Sequence, residues 1–562
     1  MGWLRALWER AFSNHYGPTV CSQLLMALNQ RGQFKLNASP ARHIDMGLAL
    51  RVRDDLKDCA LADLANDIDE LHELALSRLQ QLRSARHEIE KARRSFRPRT
   101  FRTELAQLRS AEETFTSYER ALSDWLYDMS RGAVPVDHLR RVKFEYADLL
   151  RMQQGVTAAL IAGSDWQSPA IEGAGYPTAG RHTGEITEHL DDYKRDRHPG
   201  ARSLEESYLR EYVDAPAGLE VRALMTSCGM AAFTTILHYL CTTLDQTRAV
   251  VASRGMYHEC RALLADSRLG AQVHWVDDTD TAEIIGACRR LQPAALFLDS
   301  ICNSKGLAVA DTQAILLDVA ASARRNLHFV LDNTCASVFG QPLHLAALNS
   351  HVRLLMFDSL TKYAQFGFDR VAAGMIVAPE QEAQALDGLR EHLGTNVADV
   401  CAASIPQPDR ALLSRRLRRI ERNARLLAEH LADRADGSTV PVFEVVYPGL
   451  GSHECHSAAR RLGFNGGFFA LGLWRENNSI DAQGRLVSGL IRAARRRKVN
   501  LVTGASFGLD VTRVYRTATE IGLGPFVRVA AGTEDRIEVE RLKEVFSAAI
   551  SELSALDYAI RE

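Results

Sequence analysis

The sequence has no apolar run long enough to cross a membrane. None approaches the ~20 residues that a membrane-spanning helix needs, and charged residues interrupt the apolar positions of segment 1–12, which therefore lacks the core of a signal peptide. Gly2 is not followed by the Ser or Thr of a myristoylation signal. We therefore expect a cytoplasmic protein without a membrane anchor.

The chain also has few features of metal-binding or nucleic-acid-binding proteins. Its ten cysteines are scattered, with no pair at zinc-finger or redox-motif spacing, and its net charge is −2. A near-neutral chain has no bulk attraction for polyanions. We expect reduced thiols, no bound metal and no nucleic-acid partner in a chain whose 562 residues leave room for several domains.

The first part of the chain has a helical pattern. Apolar residues recur at three- and four-residue steps over 64–89 and again over 105–129, as in amphipathic helices. Residues 97–100, Arg-Pro-Arg-Thr, would break a helix between these two runs. We therefore predict an antiparallel helical pair, for which packing or oligomerisation is the simplest role.

From about residue 165, short apolar runs alternate with helical stretches. Apolar strands separated by helices indicate a parallel sheet covered on both faces. The runs that suggest strands are 249–252, 294–298, 328–331, 443–447, 467–473 and 526–529. We predict an N-terminal helical region (1–165), a large α/β domain (166–400) and a smaller C-terminal α/β domain (401–562).

Lys362 and Asp332 together indicate a pyridoxal-phosphate site. Lys362 lies in Asp-Ser-Leu-Thr-Lys-Tyr at 358–363, and Asp332 follows an apolar run. Such a site needs an amine to hold the aldehyde as a Schiff base, a carboxylate to keep the pyridine nitrogen protonated, and hydroxyls for the phosphate. Alone, the lysine could be a solvated loop residue and the aspartate a turn or helix cap. Their occurrence in this order favours the cofactor site.

Other segments extend the pattern along the chain. They are Tyr-Lys-Arg-Asp-Arg-His-Pro-Gly at 193–200, Ser-Cys-Gly-Met-Ala-Ala at 227–232, Asp-Ser-Ile-Cys-Asn-Ser at 299–304, Tyr-Pro-Gly-Leu-Gly-Ser-His at 447–453 and Val-Arg-Val-Ala-Ala-Gly-Thr-Glu-Asp at 527–535. Over about residues 175–555 the chain resembles the Cys/Met-metabolism family of pyridoxal-phosphate enzymes, which includes cystathionine γ-synthase, cystathionine lyases and methionine γ-lyase. The resemblance implies a fold-type-I architecture, a mostly parallel sheet flanked by helices with a smaller C-terminal α/β domain.

The resemblance also implies roles for individual residues. Lys362 would form the Schiff base and then act as a base, Asp332 would hold the pyridine nitrogen, and Tyr257 would stack on the ring. Arg528 would bind the substrate α-carboxylate, with Thr512 in place of a carboxylate-binding Ser. The remaining cofactor contacts implied are Asn303 to the phenolic oxygen, Ser227, Cys228, Gly229, Met230, Ser359 and Thr361 to the phosphate, and Tyr193 and Arg195 from a neighbouring subunit.

Two segments depart from the family pattern. In 361–369, Phe366 and Phe368 stand near positions where Gly and Ser are expected, and in 506–512 Val511 replaces a frequent Glu. We expect these changes to line the side of the site that meets the substrate side chain. The cofactor is therefore better specified by the sequence than the substrate.

The activity implied by the resemblance is elimination or replacement at the β or γ carbon of an L-amino acid. The expected assembly is a homodimer or homotetramer. An aminotransferase or another fold-type-I reaction would use the same cofactor residues and stays open. A non-catalytic scaffold is the third alternative, which the retention of Lys362, Asp332 and Arg528 disfavours.

Overall fold

The computed structural model describes most of the chain from residue 49 onward. The described residues are 49–91, 93, 98–132, 134–163, 199–436, 443–473, 478–517 and 525–561. Within them, the chain forms a group of long helices and two β-sheets with their flanking helices. No helix in these ranges combines the length and the apolarity of a membrane span.

Three long helices make up the N-terminal part. They are α1 (Ala49–Lys91), α2 (Pro98–Ser130) and α3 (Val136–Gly163). Pro98 opens α2 at a position where its missing N–H costs no hydrogen bond. Arg86 bonds Glu112 at 2.6 Å and His72 lies 3.4 Å from Glu119, so α2 runs back along α1 as predicted. The third helix, α3, was not predicted.

The larger sheet has seven strands in the order β1-β7-β6-β5-β4-β2-β3. Strands β2 to β6 are parallel to one another, whereas β7 is antiparallel to both β1 and β6. The mostly parallel sheet is therefore confirmed, with one reversed strand. The strands are β1 (Val221–Thr226), β2 (Val250–Ser253), β3 (Val273–Val276), β4 (Ala295–Asp299), β5 (Leu327–Asp332), β6 (Val352–Ser359) and β7 (Gly374–Pro379).

Helices accompany this sheet along the chain, as the apolar strands require. Strands β2 and β4 are buried along their whole length, which is the pattern of a sheet covered on both faces. The helices are α4 (Pro199–Tyr212), α5 (Gly229–Thr243), α6 (His258–Asp266), α7 (Thr281–Leu291), α8 (Thr312–Ser322), α9 (Leu343–Ala346), α10 (Glu380–Leu393), α11 (Asp399–Ser404) and α12 (Arg410–Asp436).

The parallel strands end at one edge of the sheet. Strand β4 ends at Asp299, β5 at Asp332 and β6 at Ser359, and the register pairs Asp299 directly with Asp332. Open α/β sheets bind ligands at the carboxyl ends of their strands. This edge therefore collects the residues that the sequence assigns to the cofactor.

The smaller sheet has five strands in the order β10-β11-β12-β9-β8. The strands predicted at 443–447, 467–473 and 526–529 are present as β8, β9 and β12. The elements are β8 (Phe443–Val446), α13 (His456–Leu462), β9 (Phe468–Leu473), α14 (Ile480–Arg497), β10 (Val502–Thr503), β11 (Arg513–Thr517), β12 (Phe526–Ala530) and α15 (Arg536–Arg561).

The N-terminal helices share a core with the rest of the protein. One cluster of buried apolar side chains includes Leu64 and Ile68 of α1 together with Phe526 of β12 and Phe546 of α15. Shape complementarity in such a core fixes the relative position of the elements that contribute to it. The helical region therefore packs directly on the C-terminal part, while the domain boundaries at 165 and 400 stay predictions.

Candidate active site

Lys362 lies three residues beyond the end of β6, with its amine partly buried. Its Nζ donates a hydrogen bond to Ser506 Oγ at 3.0 Å and lies 5.6 Å from the centre of the Phe507 ring. Burial lowers the pKa of the Lys362 amine; Asp369 and Cys335 oppose this shift, and Arg528 and Arg513 add to it. A larger fraction of the amine is therefore neutral near pH 7, and only the neutral amine can attack an aldehyde or accept a proton.

Two carboxylates lie side by side at the strand ends. Asp332 accepts a hydrogen bond from the Thr334 backbone N–H at 2.9 Å, and Asp299 accepts one from the Tyr257 backbone N–H at 2.9 Å. Burial raises the pKa of both carboxyl groups, and the charge of Asp332 raises that of Asp299 further. A cationic N–H group beside Asp332 would stabilise its ionised form, and a protonated pyridine nitrogen has this property.

A cradle for an anion forms between α5 and the end of β6. Cys228 caps α5 by accepting the Ala231 N–H on Sγ at 3.3 Å, and the hydroxyls of Ser359 and Thr361 are 2.9 Å apart. A Cβ added to Gly229 would lie 2.8 Å from Ser359 Cβ, so only glycine permits this approach. A helix N-terminus next to two hydroxyls suits a phosphate group.

Two further residues of the predicted phosphate loop have other contacts. The backbone N–H of Ser227 bonds Thr395 O at 2.8 Å. The side chain of Met230 lies against Cys260, with 3.6 Å between the sulfur atoms. Any contact of Met230 with a phosphate would therefore come from its backbone rather than from its side chain.

Tyr257 precedes α6 and is held by its backbone bond to Asp299. Burial raises the pKa of its phenol, with Glu259 as the next cause and Asp332 a smaller one. The ring is therefore neutral at physiological pH and lies close enough to Asp332 to sense its charge. A neutral aromatic ring at this position is suited to stacking on a planar heterocycle.

Arg528 of the smaller sheet contacts Asn303, which lies in the loop after β4 of the larger sheet. Arg528 lies in β12, is 2% exposed, and donates to the backbone oxygen of Asn303 at 3.0 Å and to its side-chain oxygen. The Tyr515 hydroxyl is 3.3 Å from the guanidinium, whose Nε lacks a partner among the described residues. A guanidinium with one N–H unsatisfied can bind a carboxylate.

The hydrogen bonds of Thr512 go to residues other than Lys362. It is fully buried, its hydroxyl accepts the Gly532 N–H at 3.1 Å, and its own N–H donates to Glu534. A carboxylate-binding role for Thr512 stays a prediction. The hydroxyl that reaches Lys362 belongs to Ser506, a residue to which the sequence assigned no role although it opens the segment 506–512.

The two aromatic departures in 361–369 do not face an open cleft. Phe366 is 2% exposed and Phe368 3% exposed, and both belong to the apolar core. That they line the substrate side of the site stays a prediction. Tyr193 and Arg195 lie outside the described residues.

These residues form a donor set that fits pyridoxal phosphate. Lys362 would carry the cofactor, Asp332 would face its ring nitrogen, and the Gly229 cradle would hold its phosphate. A profile of the family described as "Cys/Met metabolism PLP-dependent enzyme" matches residues 164–485, more than half of the chain. The chain belongs to this family. Pyridoxal phosphate is the family's cofactor, as predicted.

The chain is also similar to part of another protein. The bifunctional enzyme flvA of Aspergillus flavus is 28% identical over 366 residues, which are 64% of this chain and 42% of that protein. The chain thus matches less than half the length of this relative.

Solved structures share the fold. The metB structure from Corynebacterium glutamicum has a TM-score of 0.53 at 21% identity and covers 71% of this chain and 98% of its own. Cystathionine gamma synthase from Xanthomonas oryzae pv. oryzae has a TM-score of 0.51 at 22% identity, with the same coverage. CalE6, a methionine gamma lyase from Micromonospora echinospora, has 0.50 at 24%, covering 64% and 88%. The fold-type-I architecture is therefore confirmed.

Gly229→Ala tests the phosphate cradle. The added methyl group would push α5 away from Ser359, so we expect cofactor affinity to fall about tenfold or more, the equivalent of one charge-assisted hydrogen bond at roughly 1.5–3 kcal/mol. Absorbance titration of cofactor-free protein measures this affinity. Gly388→Ala in α10 is the matched control, because no atom lies within 4 Å of its added Cβ. Equal affinities of the two variants would remove Gly229 from the cofactor site.

Proposed function

We propose that this protein catalyses elimination or replacement at the β or γ carbon of an L-amino acid, with pyridoxal phosphate held at Lys362. The observation that carries this proposal is the partly buried Lys362 amine, which bonds Ser506 and lies close enough to Arg528 for that charge to lower its pKa. A proton acceptor and a group able to bind a carboxylate would then belong to the same site. Membership of the Cys/Met-metabolism family supports this class of reaction.

Each residue of the site would have a separate role in the reaction. Arg528 would bind the substrate α-carboxylate, and Asp332 would keep the ring nitrogen protonated. The bound cofactor stabilises negative charge at the α-carbon by drawing it into its ring. Lys362 in its neutral form would take the α-proton on Nζ, and Ser506 would orient that nitrogen by accepting one of its N–H groups.

Incubation of the purified protein with amino acids tests this function. O-acylated homoserine, cystathionine, cysteine and methionine are the substrates to compare, with products read by mass spectrometry. Elimination releases ammonia and a 2-oxo acid, and replacement gives a new amino acid. Lys362→Ala should abolish both. Conversion of the cofactor to its amine, with a 2-oxo acid but no ammonia, would instead identify an aminotransferase.

Two variants of Arg528 test whether this residue binds the substrate carboxylate. Arg528→Ala should raise the KM for the amino acid about tenfold or more, because a charge-assisted contact of roughly 1.5–3 kcal/mol is lost. Arg528→Lys keeps the charge but not the planar pair of donors, so it should restore only part of the affinity. Cofactor affinity should stay near the wild-type value. Loss of cofactor in both variants would assign Arg528 to the fold or to the phosphate.

We further propose a cytoplasmic homodimer or homotetramer. The support for the assembly is the resemblance of segment 193–200, of which 193–198 lie outside the described residues, to one that the family donates across a subunit interface. The scattered cysteines support the location. Light scattering of the active protein tests the assembly, since an active monomer would contradict it. Cell fractionation tests the location, and recovery in a membrane or secreted fraction would contradict it.

A further inference from the structure

One buried arginine connects the N-terminal helices to the active-site loop. Arg416 of α12 donates to Glu70 of α1 at 2.6 Å, to Asp510 at 2.7 Å and to the backbone oxygen of Gly508 at 3.1 Å. All three charged residues are buried, at 9% exposure or less. A charged link through the interior therefore joins α1 to the loop 506–510.

This loop lies directly against Lys362. Ser506 Oγ accepts the Lys362 Nζ hydrogen bond at 3.0 Å, and a Cβ on Gly508 would lie 2.8 Å from the Tyr363 ring and 3.3 Å from the Lys362 carbonyl carbon. Ser506 has a φ of +83°, which a residue with a side chain seldom adopts. Such a conformation persists only where the surroundings enforce it. The shape of the loop therefore depends on contacts such as those of Arg416.

The segment that follows Lys362 is held from the same side. The backbone oxygen of Gly367 accepts a hydrogen bond from Arg151 of α3 at 3.2 Å. A Cβ on Gly367 would lie 2.5 Å from Arg416 Nη2 and 2.9 Å from Asp510 Oδ1. The Arg416–Asp510 ion pair therefore packs directly against this glycine. The helical region thus contacts both segments that depart from the family pattern, 361–369 and 506–512.

The carboxyl groups of Glu70 and Asp510, which both contact Arg416, have pKa values that are shifted in opposite directions. Burial raises the pKa of Glu70 to about 7, although Arg416 opposes the rise, and Asp67, Asp510 and Arg415 also face this carboxyl. Burial also pushes the pKa of Asp510 up, but Arg416 and Lys143 outweigh it, so that this pKa is lowered. Glu70 is therefore mostly ionised only above about pH 7, which makes pH 8 suitable for testing its contact.

We propose that Glu70 is a positioning residue of the active site, which holds the loop 506–510 through Arg416 so that Ser506 meets the Lys362 amine. The N-terminal helices are then part of the catalytic unit and not only a packing or oligomerisation region. This role rests on the proposed function of Lys362. The position of the loop, however, can be measured without any catalysis.

Asp63 provides a matched control on the same helix. It is 5% exposed and accepts hydrogen bonds from Arg422 at 2.9 and 2.8 Å and from the Arg536 backbone N–H at 2.9 Å, and it pairs with Arg419 at 3.1 Å. These partners lie in α12 and α15, and within the described residues none of them makes a hydrogen bond or ion pair with the loop 506–510. Asp63→Asn should therefore loosen the docking of α1 without acting on the loop.

Hydrogen exchange of the purified protein at pH 8 separates the two roles. In Glu70→Gln, the amides of 504–512 should exchange about tenfold faster than in the wild type, a change equivalent to roughly 1.4 kcal/mol of local opening. In Asp63→Asn, faster exchange should appear in 55–91 and 410–436, with 504–512 unchanged. If the amides of 504–512 exchange at the wild-type rate in Glu70→Gln, or if their exchange rises equally in both variants, the proposal is wrong. Glu70 would then only help to dock α1.

The same contacts predict how Glu70→Gln changes the kinetics of the reaction. Glu70→Gln should lower kcat about tenfold while cofactor affinity and the KM for the amino acid stay near wild type, because Arg528 and the Gly229 cradle are untouched. A raised KM with unchanged kcat would contradict a role at Lys362. If the wild type turns over no amino acid, the proposed function fails, whereas the exchange experiment still decides the role of Glu70.

A second variant covers the case that Glu70→Gln does not fold. Arg151 is 37% exposed in its side chain, so Arg151→Gln should be tolerated by the fold. It removes the bond to Gly367 O, and we expect faster exchange over 364–370. Unchanged exchange in that segment would overturn the proposal that the helical region holds the loops of the site.

Discussion

The burial of one amine is the constraint on which the site depends. Lys362 can act as nucleophile and base near neutral pH only if its surroundings disfavour the charged form, and the protein achieves this by burial. The loop at Ser506, the strand end at Asp332 and Arg528 of the smaller sheet must all reach the same small volume. The two sheets and their connecting helices have to be fixed relative to one another for this to happen.

The buried charges between the helical region and the C-terminal part contribute to that fixed arrangement. Lys143 of α3 bonds Thr533 O at 2.8 Å and pairs with Asp67 at 3.0 Å, and Arg140 bonds both carboxylate oxygens of Asp535. Buried ion pairs add little net stability compared with apolar packing, because desolvation offsets the attraction. Their directional contacts with the segments near β12 favour a role in positioning rather than in stability alone.

Much of the fold follows from local patterns in the sequence. The apolar runs predicted six of the twelve strands that the described residues form, and the three- and four-residue spacing predicted α1 and α2. Lys362 and Asp332 were recognised because their side chains carry specific chemistry next to a strand end. The family, the cofactor and the fold-type-I architecture that these residues indicated were all confirmed.

Other features depend on contacts between distant parts of the chain. Glu70 and Arg416 are 346 positions apart, and no local periodicity relates them. The same holds for the Ser506 hydroxyl at Lys362 and for the burial of Phe366 and Phe368. The antiparallel β7 was also not predicted, because an apolar run gives no information on strand direction.

Borohydride reduction of the purified protein, followed by peptide mapping, tests whether Lys362 carries the cofactor. We expect the cofactor to become irreversibly attached to the peptide that contains Lys362, and the Lys362→Ala protein to show no such attachment at any lysine. Attachment to a different lysine in the wild type, or cofactor that washes away after reduction, would contradict this expectation.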